Sequence, residues 1–460
     1  MKKILIICLL MPAFQFLSIS CFPQSVGIGT ATPNTSAQLD ISSTSKGTLI
    51  TRMTSTQRKA ITTPAPGLLV YDITEKTLYM YDGTRWLGFA PLTDEDRPTN
   101  NFVFPPGVAD SSLYGYSVAV WDQFAVVGSP YRTVGANKQE GSAYVYKKNG
   151  NSWQLFTTLT PTSGNVDSAD FGISVNICAN YMIVGAIAHK NASNLRTGAA
   201  YVYAYNGSAW VNTQVILGPS VGTSFGIAVD INQYGTYLAI GESYATVSGL
   251  AGAGVVRIYN YNGSSFVPQQ ILQDPAPLAS ENFGSALAMS PAGDYTLVGA
   301  PFKTVAGHAS NGYVGLFRRS GASWSQFQTY TSPGTDNLKT GTSVDVTDGY
   351  ALFSTPGTNT VIQCNIPASG LWTTSFYLFS EKVKSVAMDP LTSFGYAYAG
   401  NSFYFIANAN IKLKSFAADP NTVLPDRTLS VYNKDYLFSN PLEANDAGSW
   451  AGTVFFGILL

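Results

Sequence analysis

Charge is scarce in this chain, and so are the side chains that most often do chemistry. Of 460 residues only 12% are Asp, Glu, Lys or Arg, and the formal net charge is −1. So even a balance offers nucleic acid no basic face. The two His, His189 and His308, lie in loops of non-adjacent repeats and make neither a triad nor a metal set. Cysteine is as sparse: Cys8, Cys21, Cys178 and Cys364 are scattered, and Cys8 sits in the leader. The odd remainder makes no disulfide framework, so Cys178 and Cys364 read as buried free thiols. A long apolar run is missing too. The run from Ile4 to Leu17 falls short of the ~20 residues that a membrane-spanning helix needs.

Lys2 and Lys3 precede that run, and the small residues Ser18 and Ser20 follow it. Residues 1–20 therefore read as a secretory signal peptide. The segment resembles a bacterial lipoprotein signal with Cys21 as the lipidated residue, although Ser18 stands where that pattern usually has Leu. Ordinary cleavage between Cys21 and Gln24 is the other reading. Either way the chain is expected to be secreted or held at the outer membrane or cell surface.

What the chain has in quantity is Gly (43), Tyr (27) and Phe (25). That mixture suits short aromatic strands joined by tight turns. Tyr114, Phe171, Phe225 and Phe283 each precede a Gly at nearly even intervals, a weaker copy starts at Thr340, and worn copies lie near Lys382 and Pro425. Each unit opens with a strand of alternating small and apolar residues, such as "SVAV" or "SVNI", and a second apolar strand such as "FAVVG" follows. A loop leads to a third strand. A turn at Asn149-Gly150, Asn206-Gly207, Asn262-Gly263 or Ser320-Gly321 then leads to a fourth, starting at Trp153, Trp210, Phe266 or Trp324. Asn-Gly supplies the positive φ values of a hairpin turn. Four antiparallel strands repeated radially make a β-propeller blade, so residues 101–460 are expected to form an all-β, seven-bladed propeller.

The seventh unit stops after its third strand, at Leu460. Phe102 to Phe104 stand in the place of the missing fourth strand, which would close the ring and leave no open edge. An unpaired linker strand is the alternative. The aromatic-Gly-x-Ser phrase together with "VGSP" (Val127 to Pro130) and "VGAP" (Val298 to Pro301) resembles FG-GAP repeats. These build the seven-bladed propeller of integrin α-subunits and of many secreted bacterial proteins, and the resemblance covers about residues 102–460. It implies calcium at an Asp-x-Asn/Asp-x-Asp-Gly turn. The third unit offers Asp230, Asn232 and Gly235, but Tyr234 replaces the third acidic residue; the fourth offers only Asp294. A structural turn is expected there, with no metal and no cofactor.

Residues 24–92 differ: a small mostly-β segment with three short strands, an Asp82-Gly83 turn, and a short helix within Met53 to Ile61 capped by Thr54 or Ser55. Val26-Gly27-Ile28-Gly29-Thr30 and Tyr81-Asp82-Gly83-x-x-Trp86 resemble stalk-like N-termini of secreted Bacteroidetes proteins and of phage tail-fibre-like proteins. The resemblance implies an oligomer formed through this segment. Residues 93–100 read as a charged linker.

Catalytic patterns were weighed in turn. "GTSFG" around Ser224 matches a nucleophile elbow in letters, but it falls on an inter-blade linker rather than a strand-to-helix turn. Glu140, Glu242, Glu281 and Glu443 are scattered, with no pairing for glycosidic chemistry. No catalysis is expected. The loops between second and third strands are long in the first four units, at 129–140, 186–197, 242–253 and 300–311. They carry Tyr131, Arg132, Lys138, Lys190, Arg196 and Lys303, the candidate binding residues for a protein or glycan partner. Solvated spacers are the plainer reading of the same loops. Two rival classes stand beside a binding propeller: a carbohydrate-active lyase or hydrolase, and a structural fibre or stalk component.

Overall fold

Small side chains at alternate strand positions let strands crowd together, and the architecture is built on that crowding. A computed structural model describes residues 26–74, 77–83, 86–89, 101–103, 112–150, 152–162, 168–391, 395–399, 402–406, 411–415, 429–432, 435–440 and 453–458. The leader, Cys21, the 93–100 linker, Phe104 and Glu443 lie outside these residues. The chain divides into two compact units, residues 1–93 and 94–460. No described helix is long and apolar enough to cross a membrane.

In the first unit a parallel pair, Val26–Ile28 with Leu39–Ile41, precedes a four-stranded sheet of Arg52–Met53, Leu69–Asp72, Thr77–Tyr81 and Trp86–Phe89. The expected helix is Ser55–Lys59, with Thr54 as its cap and Gln57 closing a capping box. It delivers Arg58 into the interior. There the Arg58 guanidinium donates to Asp72 at 2.9 Å and lies 3.6 Å from the centre of the Tyr79 ring. Ser55 Oγ and the Thr74 N–H also donate to Asp72, so the buried carboxylate is fully used.

The second unit is all-β and propeller-like. Its described residues carry seven four-stranded antiparallel sheets. The first runs Val118–Trp121, Phe124–Ser129, Ser142–Asn149, Ser152–Leu159, and the next five repeat that order. The seventh has Leu429–Tyr432, Asp435–Asn440 and Thr453–Ile458, and its fourth strand is Asn101–Val103 from the other end of the chain, with Phe102 opposite Phe455.

First strands of successive sheets are neighbours, and that of the seventh neighbours that of the first. Side chains at one repeated position tie these strands together. Asp230 accepts the Met289 N–H and Asp345 the Met388 N–H, both at 2.6 Å. Ser430 Oγ accepts the Val120 N–H at 3.1 Å, from the seventh sheet to the first. On the outer strands glutamine amides do the same work: Gln214 pairs both ways with the Phe266 backbone, and Gln270 with that of Trp324.

The aromatic-Gly and Gly-Ala-Pro phrases meet across the sheet boundaries. Gly128, Gly185, Gly241 and Gly299 are the last but one residue of second strands, and a Cβ on any of them would run into the carbonyl oxygen of Gly172, Gly226, Gly284 or Gly341 of the following unit. Ser117 and Ser174 donate to the first two of those carbonyls, at 2.9 and 2.7 Å. The aromatic partners Tyr114, Phe171, Phe225 and Phe283 are fully buried. In the fifth unit Ser354 takes the glycine position and accepts the Ser343 N–H instead. The phrase disappears where the close approach does.

The Asn-Gly turns differ from expectation in one respect. Gly207 and Gly263 have positive φ, but Asn206 and Asn262 do not. Each Asn instead accepts the N–H groups two and three residues on, such as Ser208 and Ala209, because an Asx side chain can close the turn itself.

A Gly185→Ala chain should lose ~1–3 kcal/mol through overpacking at the boundary. Gly349→Ala, where a Cβ meets nothing within 4 Å, should melt as the parent does. Equal melting temperatures for the two variants would show that the boundary tolerates a side chain.

Candidate functional site

The long loops between second and third strands are held by backbone hydrogen bonds. Three share a Thr-Val start: Thr133-Val134, Thr246-Val247 and Thr304-Val305. Each Val exchanges two backbone hydrogen bonds with the residue three further on, Asn137, Leu250 or His308, at 2.9–3.1 Å. The descending limb then pairs with the linker that enters the next sheet. Lys138, Gln139 and Glu140 carbonyls accept from Ser168, Asp170 and Phe171, and the pattern recurs at Ala251, Gly252 and Ala253 and at Ala309, Ser310 and Asn311. A loop fixed at its tip and along one limb holds its remaining side chains in place at little further entropy cost.

The linkers into the second to fifth sheets pass through left-handed backbone just before Phe171, Phe225, Phe283 and Thr340: Asp170, Ser224, Asn282 and Lys339 all have φ between 54° and 57°. The strained geometry at Ser224 therefore belongs to the repeat. A nucleophile elbow has no part in it.

What the fixed loops present is aromatic. Tyr131, Tyr244 and Phe302 stand two residues past the ends of the second strands of the first, third and fourth sheets and are 39%, 53% and 42% exposed. The Lys339 ammonium lies 5.5 Å from the centre of the Phe302 ring. Burial pushes the Asp170 carboxyl up to about 6, against the pull of Arg196, and Asp170 adds to the upward shift that burial imposes on Tyr131. Tyr131, Asp170 and Arg196 thus act on one another across the boundary between the first two sheets.

The other expected residues fare unequally. Lys138 is exposed, and Lys190 and Arg196 face each other across the second loop. Arg132 is half-buried, donates to Ser142 Oγ at 3.0 Å and lies over the Tyr144 ring. Lys303 is buried: its ammonium donates to the Asp274 carboxylate and the Ala276 carbonyl and sits 3.4 Å from Glu281. It is a structural cation with nothing to offer a partner. Tyr244 and Phe302 carry no charge, and they stand out in the sequence only when the second residue after each second strand is set in register.

The remaining polar candidates are taken up locally. Asp230 accepts the N–H groups of Ile231 and Met289, and Asn232 Oδ1 accepts those of Thr236 and Tyr237, so the turn oxygens serve the backbone. Asp294 pairs with Arg319 at 2.5 Å. Glu140 accepts from Asn137 and Glu242 from Arg257. His189 is buried against the Tyr201 hydroxyl and its pKa is lowered by that burial; His308, exposed, faces Asp336 at 3.3 Å.

Two family models match the chain: a phage tail-like trimerisation region over residues 27–101 and an FG-GAP repeat over residues 153–203. The second spans the fourth strand of the first sheet through most of the third strand of the second, so it includes one complete sheet boundary. No curated protein matches the chain.

Burial also raises Glu281 to about 7, helped by Asp274, and Asp345 to about 6. A carboxyl raised in the folded state holds a proton that the unfolded chain has released. Between the ordinary values near 4 and the raised values, the folded state therefore binds more protons, and stability falls as pH rises. The melting temperature should increase when the pH is taken from 7.5 to 5. Glu281→Gln, which cannot ionise, should shrink that increase; a melting temperature that is flat or falls on acidification contradicts the assignment.

Proposed function

We propose that the second unit is a seven-bladed propeller closed between its chain ends, and that the chain is a secreted or surface-attached binding protein. It recognises a protein or glycan through the face built by its second-to-third-strand loops, without catalysis, and is carried on an oligomerising N-terminal stalk. The observation that carries the binding reading is the recurrence of half-exposed Tyr131, Tyr244 and Phe302 at one register position on fixed loops. Exposed rings cost a free protein solubility. A flat apolar face with a polar handle suits sugar rings and protein surfaces alike.

Closure is supported by the Asn101–Val103 pairing with Thr453–Ile458 and by the Val120–Ser430 hydrogen bond, which repeats at the seventh-to-first boundary what Asp230 and Asp345 do elsewhere. The non-catalytic reading is supported by the dispersal of His189, His308, Glu140, Glu242 and Glu281 among the described residues, each beside its own structural partner. The FG-GAP match favours binding or adhesion, and the match over residues 27–101 favours a stalk component.

Arrays of glycans and of protein ligands, probed with the purified chain and with a Tyr244→Ala, Phe302→Ala variant, test the reading. Binding should fall by roughly tenfold or more with melting unchanged, as expected for central aromatic anchors. Turnover of a glycan or ester, abolished by one loop substitution, would establish the enzyme class instead. Deleting residues 101–106 should lower the melting temperature of the whole second unit and promote aggregation through the bared edge of Thr453–Ile458. Deleting residues 24–92 should do neither. A 101–106 deletion that melts like the parent and scatters no more light would leave the ring fastened by something else.

A further inference from the structure

The first two described strands expose everything apolar they have. Val26–Ile28 runs parallel to Leu39–Ile41, with Val26 opposite Leu39 and Ile28 opposite Ile41. Side chains alternate along a strand, so these four share one face and Gly27 and Asp40 occupy the other. The second face is covered from within. Asp40 Oδ2 accepts the Asn34 N–H at 2.8 Å, and a Cβ on Gly27 would meet Thr30 and Pro33. The first face is bare: Val26, Ile28, Leu39 and Ile41 are 55%, 54%, 55% and 40% exposed, with no charged residue among them. Two strands of three residues each do not hold together in water on their own. Something must cover the apolar side.

We propose that this face is the contact between copies of the chain, with three copies packing Val26, Ile28, Leu39 and Ile41 around a common axis. The proposal rests on the oligomerising-stalk reading above and names the surface responsible. A second copy is the fitting occupant because an uncharged aliphatic face requires an equally uncharged aliphatic partner, and every copy presents one. The trimerisation-region match, which supplies the number three, runs through Ile28, Leu39 and Ile41. Rotational symmetry then lets each face meet its neighbours in a closed ring with no apolar edge left over. Leu49, also exposed, follows the pair in sequence and extends the aliphatic character toward the second sheet of the unit.

The test is the mass of the full chain in solution by light scattering, beside an Ile28→Asp, Leu39→Asp variant. The parent should have three times the mass of one chain, and the variant the mass of one chain, with the melting of the second unit unchanged. A parent of one chain mass overturns both this proposal and the oligomeric stalk. A trimeric parent with an equally trimeric variant overturns this face alone and leaves the stalk reading standing. A second measurement guards against a variant that merely misfolds: Ile41→Cys in the otherwise unchanged chain should resist iodoacetamide, whereas Thr62→Cys, at an exposed position, should react freely. Equal alkylation of the two cysteines would mean that the face is open to water and the proposal wrong.

Discussion

A backbone carbonyl pressed against a glycine Cα sets the spacing between neighbouring sheets. Wherever the second strand carries Gly128, Gly185, Gly241 or Gly299 near its end, the following unit lays a glycine carbonyl on it. The close approach fixes where the next aromatic is buried, and the aromatic fixes where the next first strand begins. Small residues on the first strands and reciprocal glutamine amides on the outer strands then follow from the same separation. Dispersion between surfaces this close is lost steeply with any gap, so the boundary has one good geometry and the repeat inherits it. Where Ser354 replaces the glycine, the boundary is held by side-chain hydrogen bonds instead.

Much of this was legible in the sequence because strand period and turn chemistry are local. The four-strand unit, the helix cap at Thr54 or Ser55 and the terminal strand could be read from order and spacing alone, the last described over Asn101–Val103. Three features were not legible, for different physical reasons. The Asn-Gly turns misled because the same dipeptide can close a turn by backbone or by side chain, and only the neighbours decide. Lys303 misled because a charged residue in a loop reads as exposed until its two carboxylate partners, Asp274 and Glu281, arrive from the preceding linker. The loops themselves misled most: their order comes from hydrogen bonds to the linker of the next unit, a pairing with no sequence pattern of its own. The aromatic row at Tyr131, Tyr244 and Phe302 was present in the letters all along.

The two units divide the physical tasks. The second is rich in boundaries that satisfy one another, and three of its exposed rings, Tyr131, Tyr244 and Phe302, share one register position. Among its described residues the first buries Val70 and the Arg58–Asp72 pair under the Tyr79 ring, and it leaves Val26, Ile28, Leu39, Ile41 and Leu49 exposed. Buried ion pairs are seldom a source of net stability, so Arg58 specifies how the helix sits rather than holding the unit together. A small segment with that distribution leaves apolar surface for a partner, while the larger one buries most of its apolar side chains against its own sheets. Multiplying a modest binding face by an oligomeric stalk would raise avidity without any change in the face itself.

The pairing of Asn101–Val103 with Thr453–Ile458 has a consequence for how the chain acquires its structure. A ribosome or a secretion channel delivers the polypeptide from its N-terminus. The first strand of the second unit to emerge is therefore the one whose partner comes out last. Until Phe455 reaches Phe102, six sheets can form in order, each on the boundary left by the one before, while Asn101–Val103 waits with its backbone groups unmatched. Contacts of such long sequence separation form slowly. The two Pro that follow, Pro105 and Pro106, cannot donate to a foreign strand in that interval. They shorten the stretch that a wrong partner could recruit before the right one has been made.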